Sequence, residues 1–251
     1  RVQRARLPIM YAELEIATIC EANNPRSIYF HHENGKAGVR PEIKALLQQF
    51  ISRCEENGVV KLNENGAPPE VYLASFERIF RKTDEFDGAK PIKKIASATD
   101  PDIGKMESLS NGLFGSFVSP SFQEFYWAGF RGKHMELVLD LGEVTPVASV
   151  TIDFLRGKTL GDRTLLPEFV TYEASLDGKD FGKKVKVVNP NHPAELPSFG
   201  NKDFVHSFQG NMENVEARYI RVHAESILTC PPWHSRAGMP VMIYADEIMI
   251  K

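Results

Sequence analysis

Apolar and polar positions follow two different periods along the chain, and the change of period divides it. Over the first 85 or so residues the period is helical. After Arg40-Pro41-Glu42 the apolar residues are Ile43, Leu46, Leu47, Phe50, Ile51 and Cys54, a 3-1-3-1-3 spacing that lays a single stripe along an amphipathic helix. Asn57-Gly58 follows as a stop signal. Pro68-Pro69-Glu70 opens a second helix with Tyr72, Leu73, Phe76, Ile79 and Phe80 on one face; a proline in the first turn forfeits no bond the helix would have made. From about Leu7 to Glu21, Met10, Tyr11, Leu14 and Ala17 stand at helical spacing. Three helices with one apolar face each suit a small bundle, or a cap on something else. Between them Ala22 to Val39 is polar, with Asn-Asn-Pro, His-His and Asn-Gly, and is expected to be a long loop.

Past the charged stretch from Thr83 to Pro91 the period becomes two. Met135, Leu137, Leu139 and Leu141 alternate with Glu136 and Asp140; Val150, Ile152 and Phe154 alternate with Thr151 and Asp153; Ile220, Val222 and Ala224 alternate with Arg221 and His223. Such alternation marks strands with one dry face and one wet face. Ser175-Leu176-Asp177-Gly178-Lys179 separates two strand-like runs, 169–174 and 181–188, and Asp-Gly predicts a hairpin. The expectation is an α+β chain of two domains: a helical region over residues 1–89, then an all-β antiparallel sandwich over residues 90–251.

Composition narrows the functional classes. The 251 residues carry a net charge of −3, and 42% are hydrophobic, so a disordered chain is excluded. No run approaches the roughly 18 apolar residues of a transmembrane span. A slightly acidic chain is a poor ligand for nucleic acid. Cys20, Cys54 and Cys230 are far apart and odd in number, which suggests neither a disulfide framework nor a zinc knuckle, and buried free thiols are expected. The chain opens Arg-Val-Gln-Arg without a signal-like segment, as a piece of a longer polypeptide would, with any targeting information upstream.

Seven stretches stand in an order that resembles the discoidin-like family, the coagulation factor V/VIII type C or galactose-binding-like fold. They are Ile95-Ala96-Ser97-Ala98, Leu109-Ser110-Asn111-Gly112, Trp127 to Gly132, Leu137 to Gly142, Val170 to Phe181, Ala217 to Val222 and Ala245 to Ile248. Cys230-Pro231-Pro232-Trp233-His234 is also similar to a stretch in the last domain of some bacterial hexosaminidases. Residues 1–85 resemble, on fewer residues, the linker helices of bacterial proteins that carry a glycosidase-like domain. The resemblance implies a discoidin-like jelly roll acting as a non-catalytic carbohydrate-binding module. Its partners would be a glycan and an upstream catalytic domain of the same polypeptide, and its place the periplasm or the cell surface.

By that resemblance three loops meet at one end of the sandwich: 117–132, 156–166 and 228–239. They supply Tyr126, Arg156, Asp162, Arg163, Trp233 and His234 as candidate ligand-binding residues. Aromatic rings stack on the apolar face of a pyranose, and planar polar groups satisfy hydroxyls that are costly to leave unpaired. Each has a plainer reading beside it. Trp127 and Trp233 suit packing, and His234 suits loop bracing. Asp162 and Arg163 suit a local ion pair, and Arg221 and His223 a solvated face. Phe125 and Tyr126 are adjacent, so one of them faces out. The resemblance further implies a structural Ca²⁺ at Asn111 and Glu247, weakened because Asn111 replaces the usual aspartate. Leu160, Leu165 and Leu166 with Arg156, Lys158 and Arg163 leave a lipid- or protein-binding role open, and a pure brace for an upstream domain is the remaining alternative. No nucleophile elbow, His-Glu-x-x-His helix or phosphate loop is present. Glu13 and Glu15 point about 200° apart on their helix and cannot act as a glycosidase pair.

Overall fold

The computed structural model describes residues 2–19, 30–33, 36–39, 41–62, 68–86, 88–112, 114–115, 126–157, 163–194 and 204–251. The chain divides into two compact units, Arg1–Gly88 and Ala89–Lys251.

In the first unit α1 spans Val2–Ile19, α2 Pro41–Glu56 and α3 Pro69–Glu85. They form a bundle. Leu7, Met10 and Leu14 of α1 are buried, as are Ile43, Leu47, Phe50, Ile51 and Cys54 of α2 and Tyr72, Phe76 and Ile79 of α3. Tyr11 joins the three helices, its ring 6.1 Å from Phe50 and 5.8 Å from Tyr72. The predicted stripe on α2 is the buried face, except that Leu46 is only half-buried. Gly58, at φ +62°, ends α2. Its N–H donates to Glu55 O (3.0 Å) and the Val59 N–H to Cys54 O (2.8 Å), the paired bonds of a Schellman cap. The start of α1 differs from expectation. The helix begins at Val2 and runs through Pro8, which deletes one N–H donor but keeps a helical φ.

The expected loop over 22–39 is corrected in its second half. β1 (Phe30–Glu33) and β2 (Lys36–Val39) pair antiparallel, with Glu33 opposite Lys36. The sequence between them is Asn34-Gly35, the strongest short hairpin signal, and polarity had masked it.

Among the described residues of the second unit, seven strands form one continuous antiparallel sheet in the order β4-β9-β5-β8-β6-β7, with β3 on β5. They are β3 (Lys94–Ala98), β4 (Ala128–Arg131), β5 (Met135–Arg156), β6 (Phe169–Ser175), β7 (Lys184–Val188), β8 (Phe204–Glu225) and β9 (Met242–Ile250). β5 and β8 are long enough to serve both layers of a sandwich. The first part of β5 pairs with β3 and with the end of β8; the last part pairs with the start of β8 and with β9. Two predicted strands, 135–141 and 150–154, are therefore one. Gly142, at φ +89°, bends the strand instead of ending it, and the register slips between Asp140 and Thr145. At the bend Asp140 accepts the Gly142 N–H (2.8 Å) and two bonds from the Arg218 guanidinium (3.0 and 3.1 Å).

The inner faces enclose one core that includes Leu137, Leu139, Ile152, Phe154, Val170, Tyr172, Phe208, Ile220, Val222, Ile243 and Ile248. Tyr172 of β6 reaches across it and donates to Phe208 O (2.6 Å). The hairpin expected around 175–179 forms between β6 and β7. β6 and β7 are separated by residues 176–183, and Asp177 organises that loop by accepting the N–H groups of Lys179 and Asp180 (2.9 and 3.0 Å). Cys54 and Cys230 are buried free thiols; Cys20 lies outside the described residues.

Candidate functional site

One pole of the sandwich gathers the ends of most strands. Arg156 at the end of β5 pairs with Phe204 at the start of β8, and Arg131 at the end of β4 pairs with Met242 at the start of β9. In the other layer Met135, opening β5, pairs with Ala224 near the end of β8, and Phe169, opening β6, with Glu225. Only residues 132–134 join β4 to β5. Three residues reach about 10 Å, roughly the spacing of packed sheets, so both sets of ends lie at the same pole.

Two of the three expected loops are stitched together there. The Met242 N–H donates to Arg163 O (2.9 Å) and the Leu165 N–H to Met242 O (3.1 Å), while the Val241 N–H donates to Leu228 O (2.9 Å). Residues 241–242 thus anchor both the loop carrying Arg163 and the loop carrying Trp233 and His234. Trp233 packs half-buried against the core, and its Nε1–H donates to Ala194 O (2.7 Å), drawing in the segment after β7. Its ring centroid is 5.4 Å from that of His234. His234 Nδ1 accepts the Arg236 N–H (3.0 Å), so the imidazole braces its own loop and retains one free nitrogen edge. The Arg156 guanidinium lies 5.5 Å from the centre of the Phe204 ring, a cation–π arrangement.

Of the third loop, residues 126–132 are described, and its last residue joins the pole. The Gly132 N–H donates to Val241 O (2.7 Å), but the chain approaches β4 from the far side. Tyr126 and Trp127 are buried, at 6% and 0% exposure. Trp127 is the packing residue expected. Tyr126 is corrected: a ring enclosed to that degree has no face for a sugar. Phe125 and Asp162 lie outside the described residues. The lipid pattern is corrected too. Leu165 and Leu166 belong to the core and make no apolar spikes; Leu160 and Lys158 are not described.

Pattern reading missed Arg131 and Tyr244. Arg131 is the exposed end of an otherwise buried β4, which strand alternation would have suggested. Burial pushes the Tyr244 hydroxyl up, and the charges of Arg131 and Arg163 oppose that shift. Asp102 stands beside them. It accepts the Arg131 N–H (2.7 Å) and pairs with Lys133 (3.1 Å). Burial would raise its carboxyl, but these bonds and charges outweigh it and hold the acid below its ordinary value.

Asn111 and Glu247 lie elsewhere, where β9 meets the segment after a short 3-10 turn, Met106–Leu109. β9 carries a bulge: three steps from Ala245 to Ile248 oppose two from Phe154 to Ile152. The bulge turns both Asp246 and Glu247, each almost wholly buried, toward that segment. Glu247 Oε2 accepts the Asn111 N–H (2.9 Å) and Asp246 Oδ2 the Gly115 N–H (3.0 Å). Two adjacent buried carboxylates supply the hard oxygen donors a calcium ion takes, so the residues fit such an ion.

No family model matches the chain. No curated protein matches it in sequence. Solved structures do. One is the C-terminal domain of a chitobiase from Bacteroides fragilis, 18% identical, covering 65% of this chain and 95% of that one with a TM-score of 0.40. Another is a Streptococcus pneumoniae fucose binding module, 18% identical, with 64% and 93% coverage and a TM-score of 0.41. A third, CpGH89CBM32-5 from Clostridium perfringens in complex with GalNAc-β-1,3-galactose, is 14% identical, with 64% and 98% coverage and a TM-score of 0.39. Among the described residues no helix is long and apolar enough to cross a membrane.

Proposed function

We propose that this chain is a non-catalytic carbohydrate-binding module of a larger glycan-processing protein outside the cytoplasm, and that sugar docks on the pole formed by Arg131, Arg156, Arg163, Trp233 and His234. One observation carries the reading. Residues 241–242 of one strand end hold both the Arg163 backbone and the loop of Trp233, so a fixed indole and guanidinium groups share a platform. Guanidinium groups offer paired donors to vicinal hydroxyls, and a preorganised site loses less entropy on binding. The order of sequence stretches in residues 92–251 supports the same reading.

The test is titration of the full chain against glycans bearing galactose, N-acetylhexosamine and uronate. Arg163→Ala is expected to weaken binding about 10–100-fold, the worth of a hydrogen bond to a charged group, with little change in Tm. Equal affinity in parent and variant refutes this pole as the site. Silence toward all three glycan classes favours the structural brace.

As part of the same reading, Asn111, Asp246 and Glu247 hold a Ca²⁺ ion that braces the loop before β4. Calcium is expected to raise the Tm of the parent chain, and Glu247→Gln is expected to abolish that rise. A rise of the same size in both would place the ion elsewhere.

A further inference from the structure

A second cluster lies on the outer face of the other layer, at the foot of the 226–241 loop. In the antiparallel ladder Met135 pairs with Ala224 and Glu136 with His223. Met135, Leu137, Val222 and Ala224 face the core, so His134, Glu136, His223 and Glu225 share the opposite face. The ladder sets them as a square of two imidazoles and two carboxylates.

We infer that His134, His223 and Glu225 form a binding site for a divalent transition metal of the Zn²⁺ class. One ligand atom from each of the three lies within 4.8 Å of those of the others. His223 Nε2 is 2.7 Å from Glu225 Oε2, and His134 Nδ1 is 3.4 Å from the same oxygen. Tetrahedral zinc, with bonds of about 2.0–2.1 Å, sets its ligands roughly 3.3 Å apart, so insertion asks for small side-chain rotations and for release to solvent of the proton that His223 Nε2 and Glu225 share. His134 Nδ1 also accepts the Ser226 N–H (3.2 Å). That bond keeps the lone pair on Nδ1, the unprotonated state a metal needs, and zinc would take its place. Glu136 Oε2 lies 3.8 Å from the other nitrogen of His223, where a carboxylate orients a metal-bound imidazole. Lys186 of β7, beyond β6, sits over the Phe169 ring at 3.7 Å.

Two imidazoles select zinc over calcium or magnesium, and three protein ligands leave one coordination position open. Because Glu225 directly precedes the loop of Trp233, the ion would tie the foot of that loop to His134 at the start of β5. This site shares no residue with the proposed sugar or calcium sites.

The full chain, stripped with chelator, is titrated with ZnCl₂. Binding of one ion is expected, with a Tm rise of about 5–10 °C at a hundredfold excess over Kd. CoCl₂ should give the visible absorption of a tetrahedral site. His223→Asn and Glu225→Gln should each lower zinc affinity at least tenfold while leaving the metal-free Tm near the parent's. Glu247→Gln should leave zinc binding intact. Absence of any zinc-dependent Tm shift, or an equal shift in parent and both ladder variants, overturns the inference.

Discussion

At the scale of single residues, one tight constraint joins Gly210 of β8 to Tyr172 of β6. A Cβ at position 210 would stand 2.4 Å from Tyr172 Cδ2, a separation real atoms do not adopt. Tyr172 cannot move aside, because its hydroxyl is bonded to Phe208 O in the core. Gly210→Ala should therefore cost about 1–3 kcal/mol through overpacking, seen as a lower thermal midpoint; an unchanged midpoint would mean the ring is free to shift. Tyr172→Phe tests the other end of the contact. It strips a buried carbonyl of its donor and should cost about 1–3 kcal/mol, measured by denaturant titration. Neither constraint was legible in the sequence, since a lone glycine in a strand and a tyrosine in an alternating run say nothing about each other. Trp127 was legible as a core residue. Its neighbour Tyr126 was named for the site because the resemblance puts its loop at the pole, and it is buried instead.

At the scale of elements, strong periodicity was sufficient and turn chemistry was not. The stripe of α2 and the Asn57-Gly58 stop were both readable, because each follows from local geometry. Gly58 meets nothing within 4 Å of a built Cβ. Its replacement by Ala thus isolates the conformational cost of a left-handed residue, about 1–2 kcal/mol, which should show as a loss of helical signal at lower temperature. A neutral result would place the helix end elsewhere than in the Schellman bonds. The β1–β2 hairpin and the bent β5 were missed for opposite reasons. In the first, a turn signal was overlooked inside a polar stretch. In the second, two alternating runs stand apart in the sequence, whereas Asp140 and Arg218 carry one strand through Gly142. The candidate pole was legible as a set of loops, but which loops touch depends on the register of β9, and only pairing over long sequence distances sets that.

For the β-rich unit as a whole, acid should act in two stages, and the sign is the same in both. Burial lowers the His206 imidazole from its ordinary 6.5, against the opposing pull of Asp153, so the fold favours the neutral ring. A group depressed in the fold contributes stability that is complete above its unfolded value and is lost as pH falls through its folded one. The first loss therefore begins near pH 6.5 and continues below it. The second begins below 3.8. Asp140 is held down chiefly by the Arg218 hydrogen bonds, and Asp177 by the N–H groups of Lys179 and Asp180. Arg218 is raised by the same pair, so both partners favour the charged contact at the bend of β5. Thermal midpoints measured from pH 8 to pH 2 should fall in these two steps. His206→Gln should remove the upper step and Asp140→Asn should shrink the lower one, because a residue that cannot titrate carries no proton linkage. Should the upper step persist in His206→Gln, the proton uptake belongs to another group, and the desolvation of His206 between Phe208 and Asp153 would not be what sets the acid tolerance of the sandwich.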